Sequence, residues 1–400
     1  MLTLEEAAGR MLAAAPAIAG VEELPTEAAV GRILARPVLA LVDVPPADNA
    51  QMDGYAVRCA DLAAGVPAVL PVALRIAAGQ APGVLPAGAA ARIFTGAPIP
   101  DGCDAVVMQE AAGAVTAGVE IREQPVPGQW IRRRGADITR GSVALAAGQA
   151  LRAQHLGIAA SVGAAHLTVV RRPRVAFFCT GDELTLPGET AAPGRIYNSN
   201  RYVLAGLLQA LGCEVHDLGI VRDQLAATQR ALERAATGAD LVLSSGGVSV
   251  GEEDHVKAAL AALGELQAWR IAIKPGKPLA FGRVGSVPFI GLPGNPVASF
   301  VSFVILVRPF LLRCMGASDI RPRAAGVCAD FERPADPLRR EFLRARLNDS
   351  GRLELFPSQN SALLSSVSWA DGLVDLPAGE AVVRGQTVRF LPFGELTGPP

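Results

Sequence analysis

Between Arg174 and Arg313 the chain alternates short apolar runs with amphipathic stretches, and this alternation limits its fold more than any other feature. RVAFFC from Arg174 is almost wholly apolar, as a strand covered on both faces must be. SNRYVLAGLLQALG predicts a helix closed by Gly212, CEVHDLGIV a strand, DQLAATQRALERAAT a helix and ADLVLSS a strand. EEDHVKAALAAL then predicts a helix and WRIAIKP a strand. LAFGRV and VPFIGL flank Gly285-Ser286, a two-residue reversal with glycine first, as a type II′ turn prefers. Asn295-Pro296 opens a helix with a capping residue followed by proline at the first helical position. Such alternation predicts a doubly wound, mainly parallel sheet with helices on both faces.

The flanking regions read differently. Residues 3–15 predict a helix with the capping box Thr3-x-x-Glu6 and an apolar stripe through Leu4, Ala7, Met11 and Ala15. A second short helix is expected over Thr26 to Leu34, and a third over Arg152 to Ser161. From about Asp48 to Gly141, β-prone runs (YAVRC, AVLPVALRI, ARIFTG, DAVVMQE) alternate with Gly/Pro/Asp turns. After Ile320 the strands AGVCADF, EFLRARL, RLELFP, GLVDLP and TVRFLP follow. The expected fold is therefore multidomain α/β plus β. An elongated N-terminal helical and linker domain (1–47 and 141–172) carries an inserted small β module (48–140). A central α/β domain (173–318) and a C-terminal β module (319–400) complete the chain.

Charge and cysteine usage exclude several functions. With 37 basic and 38 acidic residues the net charge is −1, against a general nucleic-acid binder. Mean hydropathy is +0.31, yet no apolar run reaches the ~18 residues of a membrane span. The longest, VASFVSFVILV from Val297, stops at Arg308-Pro309. No Lys/Arg-led signal peptide opens the chain. Six scattered cysteines without a CxxC pair argue against a zinc ribbon, redox dithiol or disulfide framework, and a reducing cytosol fits them. Only three of the 37 basic residues are lysine (Lys257, Lys274, Lys277), so a surviving lysine needs a reason.

Ligands of an open α/β sheet bind beyond the carboxyl ends of its strands. Five strings are expected there: Thr180-Gly-Asp-Glu183, Arg222-Asp223, the glycine-rich SSGGVSVG from Ser244, Lys274-Pro-Gly-Lys-Pro278, and Gly291-Leu-Pro-Gly-Asn-Pro296. In the glycine-rich string, Ser245, Gly246, Gly247 and Ser249 could turn backbone N–H groups onto a tetrahedral anion. A tight strand–helix turn explains that string as well. Asp182 and Glu183 could share Mg²⁺ with substrate oxygens, or simply cap a turn. Asp223 and Asp254 also fit helix-terminal roles. Lys274 and Lys277 place compact ammonium groups where an oxyanion could be reached. Asp53-Gly54 and Thr95-Gly96-Ala97-Pro98 read as ordinary turns, and Arg132 to Asp137 as a local ion-paired run.

Taken in order, MDGYAV (52–57), TGAP (95–98), RRRGADI (132–138), TGDEL (180–184), GIVRD (219–223), SSGGVSVGEED (244–254), KPGKP (274–278) and GLPGNP (291–296) resemble the MoeA-type molybdopterin molybdenumtransferases, the family that includes the E domain of gephyrin. The resemblance spans nearly the whole chain. It implies an elongated homodimer with a cleft between the β module of one subunit and the α/β and C-terminal domains of the other. It further implies insertion of molybdenum from molybdate into adenylylated molybdopterin, with Mg²⁺ and release of AMP.

By matching motif positions, Asp53, Thr95, Glu183, Asp223, Asp254 and Lys274 would be catalytic, and Asp182 with Glu183 would hold the metal. Arg132, Asp137, Lys277, Pro293, Pro296, Arg344 and Ser365 would contact or shape the substrate site. Gln51, His255 and Arg270 depart from the family's pattern beside retained motifs. A molybdopterin adenylyltransferase and proteins that mature molybdoenzymes are conceivable partners. Two other functions compete: a dimeric scaffold of the gephyrin E domain type, and an adenylyltransferase sharing the α/β core.

Overall fold

The computed structural model describes residues 1–247 and 255–399. It shows a multidomain α/β protein built on several sheets. The glycine-rich string beyond Gly247, with Ser249 and Asp254, lies outside the described residues.

The central sheet has six strands in the order Glu214–Val221, Arg174–Thr180, Leu241–Ser245, Val287–Leu292, Pro278–Val284, Gly264–Arg270. The first four run parallel; Pro278–Val284 alone runs against them, and Gly264–Arg270, antiparallel to it, points the same way as the first four. The reversal lies at Gly285, whose φ of +58° suits glycine at the first turn position. Alternate residues of Arg174–Thr180 serve opposite faces. Val175, Phe177 and Cys179 pack with Leu204 and Leu208 of helix Ser199–Ala210 and with Val301 and Val304 of a long helix. Ala176 and Phe178 pack with Leu232 and Leu260 from helices Leu225–Ala236 and His255–Leu263.

That long helix, Pro296–Cys314, differs from the expectation that its apolar run stops at Arg308-Pro309. It continues for 19 residues with mean hydropathy 1.8, long and apolar enough to cross a membrane, but 83% buried inside the fold. A π turn at Phe303–Val307 precedes Pro309. The wider turn makes room for a ring that would otherwise press on the carbonyl four residues back.

The N-terminal region is less helical than expected. Helix Leu4–Ala13 has the anticipated capping box, but Ala7 and Met11 pack into the α/β core. Thr26–Ala28 forms only a 3₁₀ turn, because Gly31 at φ +74° ends it and Ile33 and Leu34 enter β-bridges. Strand pairs Val21–Pro25 with His166–Val170, and Val38–Leu39 with Val143–Leu145, form the rest, beside helix Ala153–Ser161.

Residues 54–121 form a four-stranded and a three-stranded sheet. Gly54 sits where a Cβ would stand 1.9 Å from the Val107 carbonyl oxygen, so Met-Asp-Gly admits no side chain there. The hairpin of Ala112–Val115 and Gly118–Ile121 was not expected. The C-terminal sheet joins Arg340–Leu347, Gly372–Leu376, Thr387–Pro392 and Ala325–Cys328. Its outer member is the two-residue strand Ile273–Lys274, lent by the α/β region.

Candidate functional site

The carboxyl ends of the central strands open into a cavity of about 990 Å³. All five strand-end strings reach it, through Thr180, Gly181, Glu183, Asp223, Ser245, Gly246, Gly247, Lys274, Lys277, Pro293 and Pro296. Two further segments complete the wall: Asn198–Asn200 at the start of helix Ser199–Ala210, and the C-terminal residues Arg339 and 359–362.

Glycine is required where the strands crowd together. Gly246 has φ +92°, and a Cβ on it would lie 2.5 Å from the Thr180 carbonyl oxygen. Gly247 has φ +65°, with Val256 Cγ2 at 2.4 Å from the same position. Ser245 is buried, and its hydroxyl ties strand ends together. It accepts from Asn200 Nδ2 at 2.8 Å, and Asn200 Nδ2 also donates to the Gly294 carbonyl at 2.7 Å. Asn200 Oδ1 and Thr180 Oγ1 are buried without a hydrogen-bond partner among the described residues.

Charge in the wall comes from the carboxylates of Glu183 and Asp223 and from the cations of Lys274, Lys277 and Arg339. Asp182 stands apart from its neighbour: it is exposed, does not line the cavity, and its Oδ1 accepts the Asp223 N–H at 3.2 Å. Glu183 and Asp223 are thus the carboxylates of the cavity wall among the described residues, and carboxylate oxygens are the ligands Mg²⁺ takes along with substrate oxygens. Lys277 is exposed and has no ion-pair partner among the described residues. Lys274 is paired, its Nζ 2.9 Å from Oε1 of the buried Glu341. Burial alone would raise the Glu341 carboxyl, but hydrogen bonds from Arg333 and Lys274 hold it below its ordinary range. Cys179 also lines the cavity, and burial pushes its thiol up to about 11, so it stays protonated and is a poor metal ligand.

Arg344 is fully buried rather than lining the cavity. Burial, then the nearby Arg333, lowers its guanidinium to about 10. It donates to the carbonyl of Asn360 at 3.3 Å and to Ser366 Oγ at 3.1 Å, and so supports the 359–362 wall from beneath. Ser365 is exposed at the start of the short helix Ser365–Trp369 and lies outside the cavity wall.

The β-module residues do not join this cavity within one chain. The Asp53 carboxylate accepts from both the N–H and the hydroxyl of Thr95, each at 2.7 Å, and the Thr95 amide chiefly holds it below its usual range. Arg133 and Arg134 are ion-paired with Asp48 and Asp43 at 2.6 and 2.5 Å. Arg132 bonds only weakly to Asn49, at 3.4 Å, and Asp137 is exposed.

Sequence reasoning missed Asn198, Asn200, Arg339, Glu341 and the 359–362 wall. The run Asn198-Ser199-Asn200 at a helix start was a usable signal, because a second asparagine beyond the cap has no capping work to do. Among the described residues, no group of three or more His, Cys, Asp or Glu side chains could hold a metal by itself.

Three family models match the chain. The MoeA N-terminal region (domain I and II) matches residues 2–163, a "probable molybdopterin binding domain" residues 176–313, and the MoeA C-terminal region (domain IV) residues 327–393. Molybdopterin molybdenumtransferase of Haemophilus influenzae is 39% identical over 406 residues, covering 100% of both chains. Molybdopterin molybdenumtransferase 2 of Mycobacterium tuberculosis is 39% identical, covering 91% of this chain and 93% of its own. Among solved structures, the molybdopterin biosynthesis moeA protein of Pyrococcus horikoshii OT3 superposes with a TM-score of 0.85 at 27% identity. It covers 98% of this chain and 100% of that one.

Proposed function

The chain belongs to the MoeA family of molybdopterin molybdenumtransferases, and from that premise we propose that its cavity takes adenylylated molybdopterin and molybdate and releases AMP, in the final step of molybdenum cofactor synthesis. The observation that carries this reading is the cavity itself. At about 990 Å³ it has room for a pterin joined to a nucleotide, with ammonium groups and carboxylates on its wall.

Molybdate is a tetrahedral dianion, for which Lys274 and Lys277 are suitable receptors. Glu183 and Asp223 would hold Mg²⁺, with Asp182 bracing Asp223 through its backbone N–H. When bound, that ion neutralises pyrophosphate charge and so lowers the barrier to anhydride cleavage. The dithiolene sulfurs of the pterin take molybdenum, so the protein needs no cysteine of its own. Forming the Mo–S bonds displaces oxygen from molybdate as water, carrying off the dithiol protons, and one water adds at phosphorus as the anhydride P–O bond breaks.

The same reading treats 173–318 as a doubly wound unit between an elongated N-terminal domain (1–47 and 141–172) carrying the 48–140 module, and the 319–400 module. It makes the molecule a homodimer, in which Asp53, Thr95, Arg132 and Asp137 of one subunit face the cavity of the other. Their absence from the cavity of their own chain supports this. So does an apolar surface beside strand pair 38–39 and 143–145, where Leu39, Leu41, Val42 and Val143 are 44–58% exposed. Six free cysteines suit a reducing cytosol.

The test is AMP release from adenylylated molybdopterin by the purified protein. Release that depends on molybdate and a divalent cation, and that falls at least ~100-fold in Glu183→Ala, is the expected result. Binding of the substrate without molybdate-dependent AMP release would sink the reading.

A further inference from the structure

The chain leaves the central sheet after Arg270, and at Ile273–Lys274 it pairs in parallel with the C-terminal strand Arg340–Leu347. Lys274 stands opposite Glu341 in that register. The Glu341 side chain is 2% exposed, and a carboxylate so buried needs charged partners. It has two. Lys274 Nζ reaches Oε1 at 2.9 Å, and Arg333 forks onto both oxygens, with Nη2 at 2.6 Å from Oε1 and Nε at 2.8 Å from Oε2.

Two cations on one anion leave a net positive charge at the cavity wall. A lysine ammonium carries three N–H donors on a flexible stem. Glu341 takes one donor and fixes where the nitrogen sits, leaving the other two for a ligand. Arg333 shares the carboxylate, so the charge of Lys274 is not cancelled by a private counterion.

We propose that Glu341 is a positioning residue for oxyanion binding: it holds the Lys274 ammonium at the cavity wall, and the C-terminal sheet thereby sets the geometry of a site built mostly by the α/β region. This rests on the reading above that Lys274 contacts an oxyanion.

Molybdate dependence of AMP release in the full-length enzyme tests it. Glu341→Gln keeps the volume and removes the charge. The expected result is a rise in KM for molybdate of roughly tenfold or more, with kcat at saturating molybdate within about threefold of wild type. Molybdate affinity measured by calorimetry should be no weaker in Glu341→Gln/Lys274→Ala than in Lys274→Ala alone, since both changes act through one ammonium. A cooperatively folded Glu341→Gln enzyme with unchanged molybdate KM overturns the proposal, as does a double variant whose defects multiply. If Glu341→Gln fails to fold, Glu341→Asp is read the same way, because it keeps the charge but withdraws it by one methylene. Its molybdate KM should also rise, and an unchanged value overturns the proposal. Wild-type enzyme that releases no AMP with molybdate counts against the functional reading instead, and does so before any variant is made.

Discussion

Gly246 admits no side chain in the cavity wall. Its φ of +92° suits glycine, and a methyl group there would lie 2.5 Å from a backbone oxygen that cannot swing aside. Gly246→Ala should therefore cost at least ~2 kcal/mol of stability and abolish AMP release by splaying the strand ends. A variant that unfolds in urea at the wild-type midpoint would refute this. At this scale the sequence was legible wherever a residue type was forced. The glycines and Lys274 and Lys277 were visible because few other residues fit their positions, or because lysine is so scarce elsewhere. Glu341 and Asn200 were invisible because their significance lies in partners far away in the chain, Lys274 and Arg333 for one, Ser245 and Gly294 for the other.

Among the elements, local pattern succeeded where burial is two-sided and failed where pairing is distant. Arg174–Thr180 was readable from RVAFFCT alone, since a strand covered by helices on both faces has little polar alternation. Ile273–Lys274 was read as the tail of a central strand, yet it belongs to the C-terminal sheet. No local periodicity could have assigned it there. Thr26–Leu34 failed for a different reason: its composition is helical, but Gly31 interrupts it before one full helix can form.

The Lys274–Glu341 register also has a pH signature. The Glu341 carboxyl titrates below its ordinary value of 4.5 in the folded protein, because the Arg333 and Lys274 hydrogen bonds outweigh the effect of burial. Its stabilising contribution is thus complete above that ordinary value and is lost as pH falls through the lowered folded one. Melting temperatures of wild type and Glu341→Gln should differ most near neutral pH and converge in acid. A gap of constant width from neutral pH to about pH 3 would show that the carboxylate charge contributes nothing to the register.

For the whole molecule, the decisive question is whether one chain holds a complete site. Asp53 and Thr95 are joined by two short hydrogen bonds, a degree of organisation a plain turn does not need, yet neither lines the cavity of its own chain. If the site is completed across a two-fold dimer, each site takes its β module from one subunit and its cavity from the other. Asp53→Ala and Glu183→Ala homodimers should then both be inactive. Mixing them by co-refolding in equal amounts gives half heterodimers. In each, one site inherits both lesions and the other inherits neither. Activity should return to about a quarter of wild type per mole of protein, a value set by the counting of symmetric sites alone. A site contained in one chain predicts no recovery, because every cavity would keep one lesion or the other. The assay separates the two geometries without a bound ligand or a further structure, and failure of the mixed protein to regain activity would return Asp53 and Thr95 to the status of a hydrogen-bonded turn.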